Sequence, residues 1–310
     1  MTKETDYQHQ SVMLNEAVDA LAIKAEGTYI DATFGRGGHA VKLLEQLSEK
    51  GNLMVIDKDP QAIKKAQSLF TDDVRVCIKQ GSFADVQRFF NEESWDQCDG
   101  FFLDLGVSSP QLDDAERGFS FQKEGPLDMR MNPHEGQSVA QWLAHATHKE
   151  IAHVLWVYGE ERFSRRIATA IVETRDETPV LTTTKLAQLI ASVVPTRERK
   201  KNPATRSFQA LRIFINRELD DITACLQVAV GLLKPKGRLV VISFHSLEDR
   251  IVKRFIRDHS RAKSLPKDLP VRECDIYVDF KSLGKRKASK DEVEKNVRSR
   301  SAVMRVAEKV

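Results

Sequence analysis

Gly35-Arg-Gly-Gly-His-Ala40 is the first stretch of this 310-residue chain suited to holding a small charged ligand. It follows a run that reads as a strand, Thr28-Tyr-Ile-Asp-Ala-Thr33, and opens a segment of helical spacing from Ala40 to Leu47. Glycines at such a junction let backbone N–H groups approach a ligand at a helix N-terminus. Asp57 stands twenty residues beyond Gly37, at the end of the next apolar run. A carboxylate there can accept both hydroxyl hydrogens of an adenosine ribose. The glycine run alone fits an ordinary turn; the acid at that distance makes it a nucleotide-type site. Asp31 and Asp104 also end strand-like runs. Such carboxylates repel a dinucleotide pyrophosphate and attract a sulfonium cation, which favours S-adenosyl-L-methionine over a nicotinamide cofactor. An NAD-dependent oxidoreductase and a noncatalytic RNA-binding protein with an inert cofactor fold are the competing readings.

These residues need a sheet to align them. Asn52-Leu-Met-Val-Ile56 is nearly all apolar, as in a strand covered on both faces. Asp59-Pro60 supplies an N-cap and a first-turn proline for a helix from Gln61 to Phe70. Val74–Ile78 and Gly100–Leu105 read as the third and fourth strands, and the alternation predicts a doubly wound, mostly parallel α/β sheet of the Rossmann-like type. From 111 to 206 the signals turn helical. Ser138-x-x-Gln141 and Thr147-x-x-Glu150 are capping boxes, Gly159 closes the second helix, and Thr184–Val194 stops at Pro195. The pattern predicts a helical insertion domain over 111–206 within a discontinuous sheet domain of residues 1–110 and 207–310. A helix from Asn216 to Leu233, a turn at Lys234–Gly237 and a strand at Arg238–Ser243 resume the sheet, while the Lys/Arg-rich 281–290 stretch reads as a mobile loop.

No apolar run approaches the roughly 20 residues needed to span a bilayer. The polar start, Met-Thr-Lys-Glu-Thr-Asp, resembles neither a secretory nor a transit peptide, so the expected location is cytoplasmic. Cys77, Cys98, Cys225 and Cys274 form no CxxC pair, which argues against a zinc module or a disulfide framework. A cap at Thr147 falls between His145 and His148, so with His153 these histidines make no metal site. Charge is uneven: from Arg250 onward there are 18 Lys/Arg against 9 Asp/Glu, leaving a net −6 on the rest of a +3 chain. A basic C-terminal part on an acidic body points to a polyanionic partner, nucleic acid first.

Taken in order, several stretches resemble one family closely. They are His9-Gln-Ser-Val-Met-Leu14, Asp31-Ala-Thr-Phe-Gly-Arg-Gly-Gly-His39, Asp104-Leu-Gly-Val-Ser-Ser-Pro-Gln-Leu-Asp113, Gly118-Phe-Ser-Phe121 and Pro126-Leu-Asp-Met-Arg130. Asn202-Pro-Ala-Thr-Arg-Ser-Phe-Gln-Ala-Leu-Arg212, Ile242-Ser-Phe-His-Ser-Leu-Glu-Asp-Arg250 and Arg298-Ser-Arg-Ser-Ala-Val-Met-Arg-Val-Ala-Glu308 follow. Together they resemble the RsmH (MraW) methyltransferases, which make N4-methylcytidine in small-subunit ribosomal RNA. Leu233-Lys-Pro-Lys-Gly-Arg-Leu239 is also similar to the helix-to-strand turn common in class I methyltransferases. The resemblance implies cofactor contacts at Gly37, Gly38, His39, Asp57, Phe83, Asp104 and Gln111. It also implies an inserted helical domain and action on a cytidine at the decoding centre of ribosomal RNA or the small subunit. Whether the chain works as a monomer or a homodimer stays open.

Methylating an exocyclic amine needs no thiol, whereas methylating ring carbon C5 needs a cysteine nucleophile. The amine needs an acceptor on its N–H and in-line placement against the methyl carbon. Asp104, at a strand end before Leu-Gly-Val-Ser-Ser-Pro-Gln, is the candidate for that role as well as for cofactor binding. Capping of the following turn is its bland alternative. Arg206, Phe208, Gln209 and Arg212 combine guanidinium, aromatic and amide groups suited to phosphate and a splayed base. Core packing of Phe208 is the competing account. His245, after the late strand, is a further candidate contact to the RNA.

Overall fold

The computed structural model describes residues 11–195, 202–261 and 278–310. Cys274 and the first two residues of the His9–Leu14 motif lie outside the described residues. The chain forms two compact units. One comprises the residues up to Gly106 together with Leu219–Val310, the other Val107–Glu218.

The first unit carries the sheet. Its elements run α1 (Leu14–Ala20), β1 (Thr28–Asp31), α2 (Gly38–Leu44), β2 (Asn52–Asp57), α3 (Pro60–Leu69), β3 (Val76–Gln80), α4 (Val86–Glu92) and β4 (Cys98–Asp104). The helical unit follows with α5 (Ser109–Asp113), α6 (Val139–His145), α7 (His148–Gly159), α8 (Ser164–Glu177), α9 (Thr183–Val193) and α10 (Thr205–Asn216). The first unit then resumes with α11 (Glu218–Leu232), β5 (Leu233–Ser243), α12 (Ser246–His259), β6 (Phe280–Lys287), α13 (Lys290–Lys295) and β7 (Val303–Lys309).

Strand order is β3-β2-β1-β4-β5-β7-β6, with β1 to β5 parallel and β7 antiparallel to both β5 and β6. Alternate residues of each central strand enter opposite cores. Met54, Ile56, Phe101, Leu103, Leu239 and Val241 join one with α4, α11 and α12. Leu53, Val55, Phe102, Val240 and Ile242 join the other with α1, α2 and α3. Covering both faces is why these strands are continuous apolar runs rather than alternating ones. Asp59 caps α3 by accepting from the Gln61 N–H at 2.9 Å, with Pro60 in the first turn.

Two expectations need correction. The stretch 281–290 is not a mobile loop over its length, because β6 pairs along β7 from Phe280↔Lys309 to Lys287↔Val303. Its side chains beyond Phe280 are exposed, so no apolar signal marks it as a strand. The helix expected from Asn216 is two helices: Arg217, at φ 55°, ends α10, and α11 starts afresh at Glu218.

The helical unit has its own core, including Trp142, Leu155, Ile167, Ile190, Phe208 and Leu211. The capping boxes at Ser138/Gln141 and Thr147/Glu150 both form. Here α10 packs on α7 within this unit, so Phe208, Gln209 and Arg212 belong to it rather than to the sheet.

Candidate active site

The parallel strands end together. Asp31, Asp57 and Asp104 are the last residues of β1, β2 and β4, and the strand order reverses between β1 and β4. In open α/β sheets this switch point, at the carboxyl ends, is where ligands bind. The glycine loop fills the same end. Gly37 takes φ 85° as the N-cap of α2, and a Cβ there would stand 2.6 Å from the Phe34 ring. A Cβ on Gly38 would collide with Ser11. Both positions therefore exclude side chains.

Asp57 is held by the loop it serves. Its Oδ2 accepts from the Gly35 N–H at 2.7 Å and its Oδ1 from the Asp59 N–H at 2.9 Å. Each oxygen keeps a lone pair for a ribose hydroxyl, since a carboxylate offers about four acceptor sites. Burial pushes its carboxyl up to about 6, although the N–H groups of Asp59 and Gly35 oppose the rise. The backbone N–H of Gly81 donates to the Asp57 carbonyl at 2.9 Å, which ties the turn after β3 to the same place. Phe83 opens that turn, half-buried against the core. Ser82 donates to Asp221 Oδ2 at 2.7 Å, and Lys58 pairs with the same oxygen, so α11 anchors both loops.

Asp31 and Asp104 are the unusual pair. Asp31 Oδ1 accepts from the Thr33 N–H at 3.2 Å, while Oδ2 is buried with no hydrogen-bond partner. Asp104 Oδ1 is likewise buried and unpartnered. Its N–H donates to Thr33 Oγ1 at 2.6 Å, so one threonine positions both acids. Burial pushes Asp31 up to about 7. Burial first, then the charges of Asp31 and Glu248, raises Asp104 well above the usual carboxylate range. Buried carboxylates without a cation are costly, and orphaned acceptors mark a place where a donor or a positive charge belongs. A sulfonium ligand with an amino group and ribose hydroxyls supplies both.

His39 lines the same space. Its Nε2 lies 3.1 Å from the Val12 carbonyl, its ring sits 4.6 Å from Phe102, and its Nδ1 faces Asp104 Oδ2 at 3.8 Å. A carbonyl only accepts, so Nε2 carries a proton and Nδ1 is the atom turned to the acid. Glu248, fully buried in the first turn of α12, accepts from the N–H groups of Phe244 (2.8 Å) and His245 (3.2 Å). His245 Nε2 lies 2.9 Å from Glu248 Oε1. Sequence reading gave Glu248 and Thr33 no role. Their types carry no special signal, and only the strand ends bring them to Asp104.

The remaining candidates lie in the helical unit. Gln111 is buried at the third position of α5, where its Oε1 accepts from the Ser108 N–H at 2.9 Å. Arg206 is exposed and Gln209 half-buried on α10. Phe208 is only 4 % exposed and stands edge-on to Phe121 at 4.9 Å, so it is core and not a stacking platform. Arg212 forms two 2.8 Å bonds to Glu218, a buried fork whose first role is to hold α10. Aromatic and basic residues in one stretch look like an RNA surface until the helical period turns Phe208 inward.

A glycine loop and buried, orphaned carboxylates at the switch point of this sheet fit the class I, S-adenosylmethionine-dependent methyltransferases. The MraW methylase family profile matches residues 6–310, and the chain belongs to that family. The "Ribosomal RNA small subunit methyltransferase H" of Marinomonas sp. is 54% identical over 100% of this chain and 99% of its own. That of Pseudoalteromonas atlantica is 53% identical over 99% of each. That of Xanthomonas oryzae pv. oryzae is 56% identical over 97% of this chain and 89% of its own. Family membership sets aside the nicotinamide reading. No helix among the described residues is long and apolar enough to cross a membrane.

Proposed function

We propose that this protein transfers a methyl group to the exocyclic N4 amine of a cytidine in small-subunit ribosomal RNA, at the decoding centre and in the cytoplasm. The names of the relatives support the RNA class. The observation that carries the chemistry is Asp104: an acceptor oxygen, buried and unsatisfied, at the end of the strand beside the glycine loop. S-adenosylmethionine, when bound, supplies an electrophilic methyl group. Asp31 and Asp104 would hold its positive charge and Asp57 its ribose.

An exocyclic amine is a poor nucleophile because its lone pair is delocalised into the ring. Asp104, accepting one N–H, favours the tetrahedral nitrogen, stabilises the positive charge that develops on it and can accept the proton the amine loses. The alternative chemistry, attack on C5, has no nucleophile among the described residues. Burial pushes the Cys77 thiol up to about 12 and raises Cys98 and Cys225 further, with the latter two wholly inside the core. A thiol held protonated is inert.

The test is transfer from labelled S-adenosylmethionine to small ribosomal subunits lacking the modification, followed by nucleoside analysis. Labelled N4-methylcytidine is expected. Label in 5-methylcytidine, or none in the subunit, overturns the proposal. Asp104→Asn should lower kcat at saturating cofactor by about 100-fold or more, the usual range for a positioned acid or base.

A further inference from the structure

Among the described residues β6 is an edge strand, hydrogen-bonded only to β7. Edge strands commonly carry lysines, which deter pairing with another chain. Here the basic residues exceed that need. Lys281, Lys285, Arg286, Lys287 and Lys290 are all exposed, and no acid interrupts the run between them. The carboxylates in register with it, and Asp279 at its start, are already committed. Glu308, opposite Lys281, pairs with Arg238 at 2.8 Å. Asp249 holds Arg305, opposite Lys285, through bonds of 2.6 and 3.0 Å. Asp279 takes His259 at 2.7 Å and Lys309 at 3.3 Å. The β6 cations therefore have no carboxylate partner among the described residues.

Register places them relative to the chemistry. Asp104 pairs with Ile242, Ile242 with Met304, and Met304 with Arg286. Arg286 thus lies on one line across the sheet with Asp104, three strand spacings or roughly 14 Å away. Lys287 lies level with Val303 and Ser243, at the end of β5. The basic run therefore climbs an open edge toward the end of the sheet where the cofactor carboxylates sit. Alternate residues along a strand are about 7 Å apart, close to the spacing of successive phosphates in an extended single strand.

We infer that β6 is a docking rail for the sugar–phosphate backbone of single-stranded RNA, and that Lys285, Arg286 and Lys287 hold phosphates a few nucleotides from the target base. The occupant is RNA because uncompensated positive charge fits a polyanion and repels a second copy of the same edge. This rests on the RNA reading above and adds the surface that reads the backbone.

The test compares the full-length protein with a Lys285→Gln/Arg286→Gln/Lys287→Gln variant and with Lys64→Gln as a surface control on α3. Binding of a fluorescein-labelled single-stranded RNA is followed by anisotropy across a salt series. Single-strand binding loses about 0.7 in slope per phosphate contact, so the triple variant should flatten log K against log salt by about 2. At about 0.1 M salt its affinity should fall by roughly 10–100-fold. S-adenosylmethionine affinity should stay at the wild-type value, as a check on folding, and KM for small ribosomal subunits should rise with little change in kcat. An unchanged slope and affinity overturns the inference. So does a concentration-dependent dimer that the triple variant abolishes while RNA binding persists, since the edge would then serve a second copy. Wild-type protein that transfers no methyl to subunits would defeat the functional reading instead, which separates the two failures.

Discussion

Binding of S-adenosylmethionine should expel protons, and the amount follows from the strand-end acids. In the free protein Asp31 titrates at about 7 and Asp57 at about 6, both raised chiefly by burial. At pH 7 the first is about half protonated and the second about one-tenth. A cationic ligand favours their ionised forms, so binding should release roughly 0.6 proton near pH 7 and more than one near pH 6. The logarithm of affinity rises with pH by the number of protons released. The dissociation constant should therefore fall roughly fourfold per pH unit near 7 and more than tenfold per unit near 6. Asp104, whose carboxyl burial and the charges of Asp31 and Glu248 also raise, would add to both figures. The assay is isothermal titration calorimetry between pH 5.5 and 7 in buffers of differing ionisation enthalpy. S-adenosylhomocysteine, lacking the sulfonium charge, should show a shallower dependence. Buffer-independent heats together with a flat affinity would refute the view that these orphaned carboxylates are the counter-charge of the cofactor.

Asp57→Ala should weaken S-adenosylmethionine binding by roughly 10–150-fold, the loss of a charge-assisted hydrogen bond, in the same titration. Asp57→Asn should do little better, because its amide would turn a donor toward the N–H of either Gly35 or Asp59. For Asp31 the sign of the stability effect is set by a folded-state value above the unfolded one. Its favourable contribution is full below about pH 4 and is lost as pH rises through about 7. Asp31→Asn should therefore raise the melting temperature at pH 8 and change it little at pH 4, as read by calorimetry without ligand. Phe208→Ala should cost about 3–5 kcal/mol in denaturant unfolding as a core truncation. Arg206→Ala, on the exposed side of α10, should cost less than about 0.5 kcal/mol. Equal effects would put both residues on the surface.

The sheet was legible where burial on both faces makes strands apolar throughout, as in Leu53–Ile56 and Leu239–Ile242. Acids ending such runs could be assigned to the ligand end before any coordinates, because parallel strands bring their carboxyl ends together. β6 was not legible: a strand whose exposed residues are lysine and arginine has no hydrophobic period, and only pairing with β7 defines it. The break between α10 and α11 was hidden for a related reason. Arginine seldom takes the left-handed conformation, so Arg217 gave no stop signal within a continuing apolar period. Arg206 and Gln209 beside Phe208 suggest an RNA surface, whereas its spacing to Leu211 belongs to a core face, and the core reading is the one the structure bears out. Glu248 lies within a family-like motif, but its role is hidden in the sequence because its burial beside Asp104 depends on how α12 starts after β5.

The first unit must attract a cation and a polyanion at the same sheet end, and these demands conflict at short range. A phosphate about 4 Å from Asp104 would meet roughly 1 kcal/mol of repulsion in water and several times that in a drier site. At the roughly 14 Å that separates Arg286 from Asp104 along the register line, the same pair repels by only about 0.3 kcal/mol before screening. That distance also exceeds the Debye length of about 8 Å at physiological salt. Placing the basic residues on β6 rather than on β4 or β5 therefore lets the carboxylates keep their methyl donor while the edge holds RNA. The geometry carries a consequence for the substrate. A single nucleotide carries one phosphate and cannot engage Lys285, Arg286 and Lys287 together, so cytidine monophosphate should be a poor acceptor. Acceptor activity should climb once an oligonucleotide is long enough to lay phosphates on Lys285–Lys287, and that gain should vanish in the triple glutamine variant.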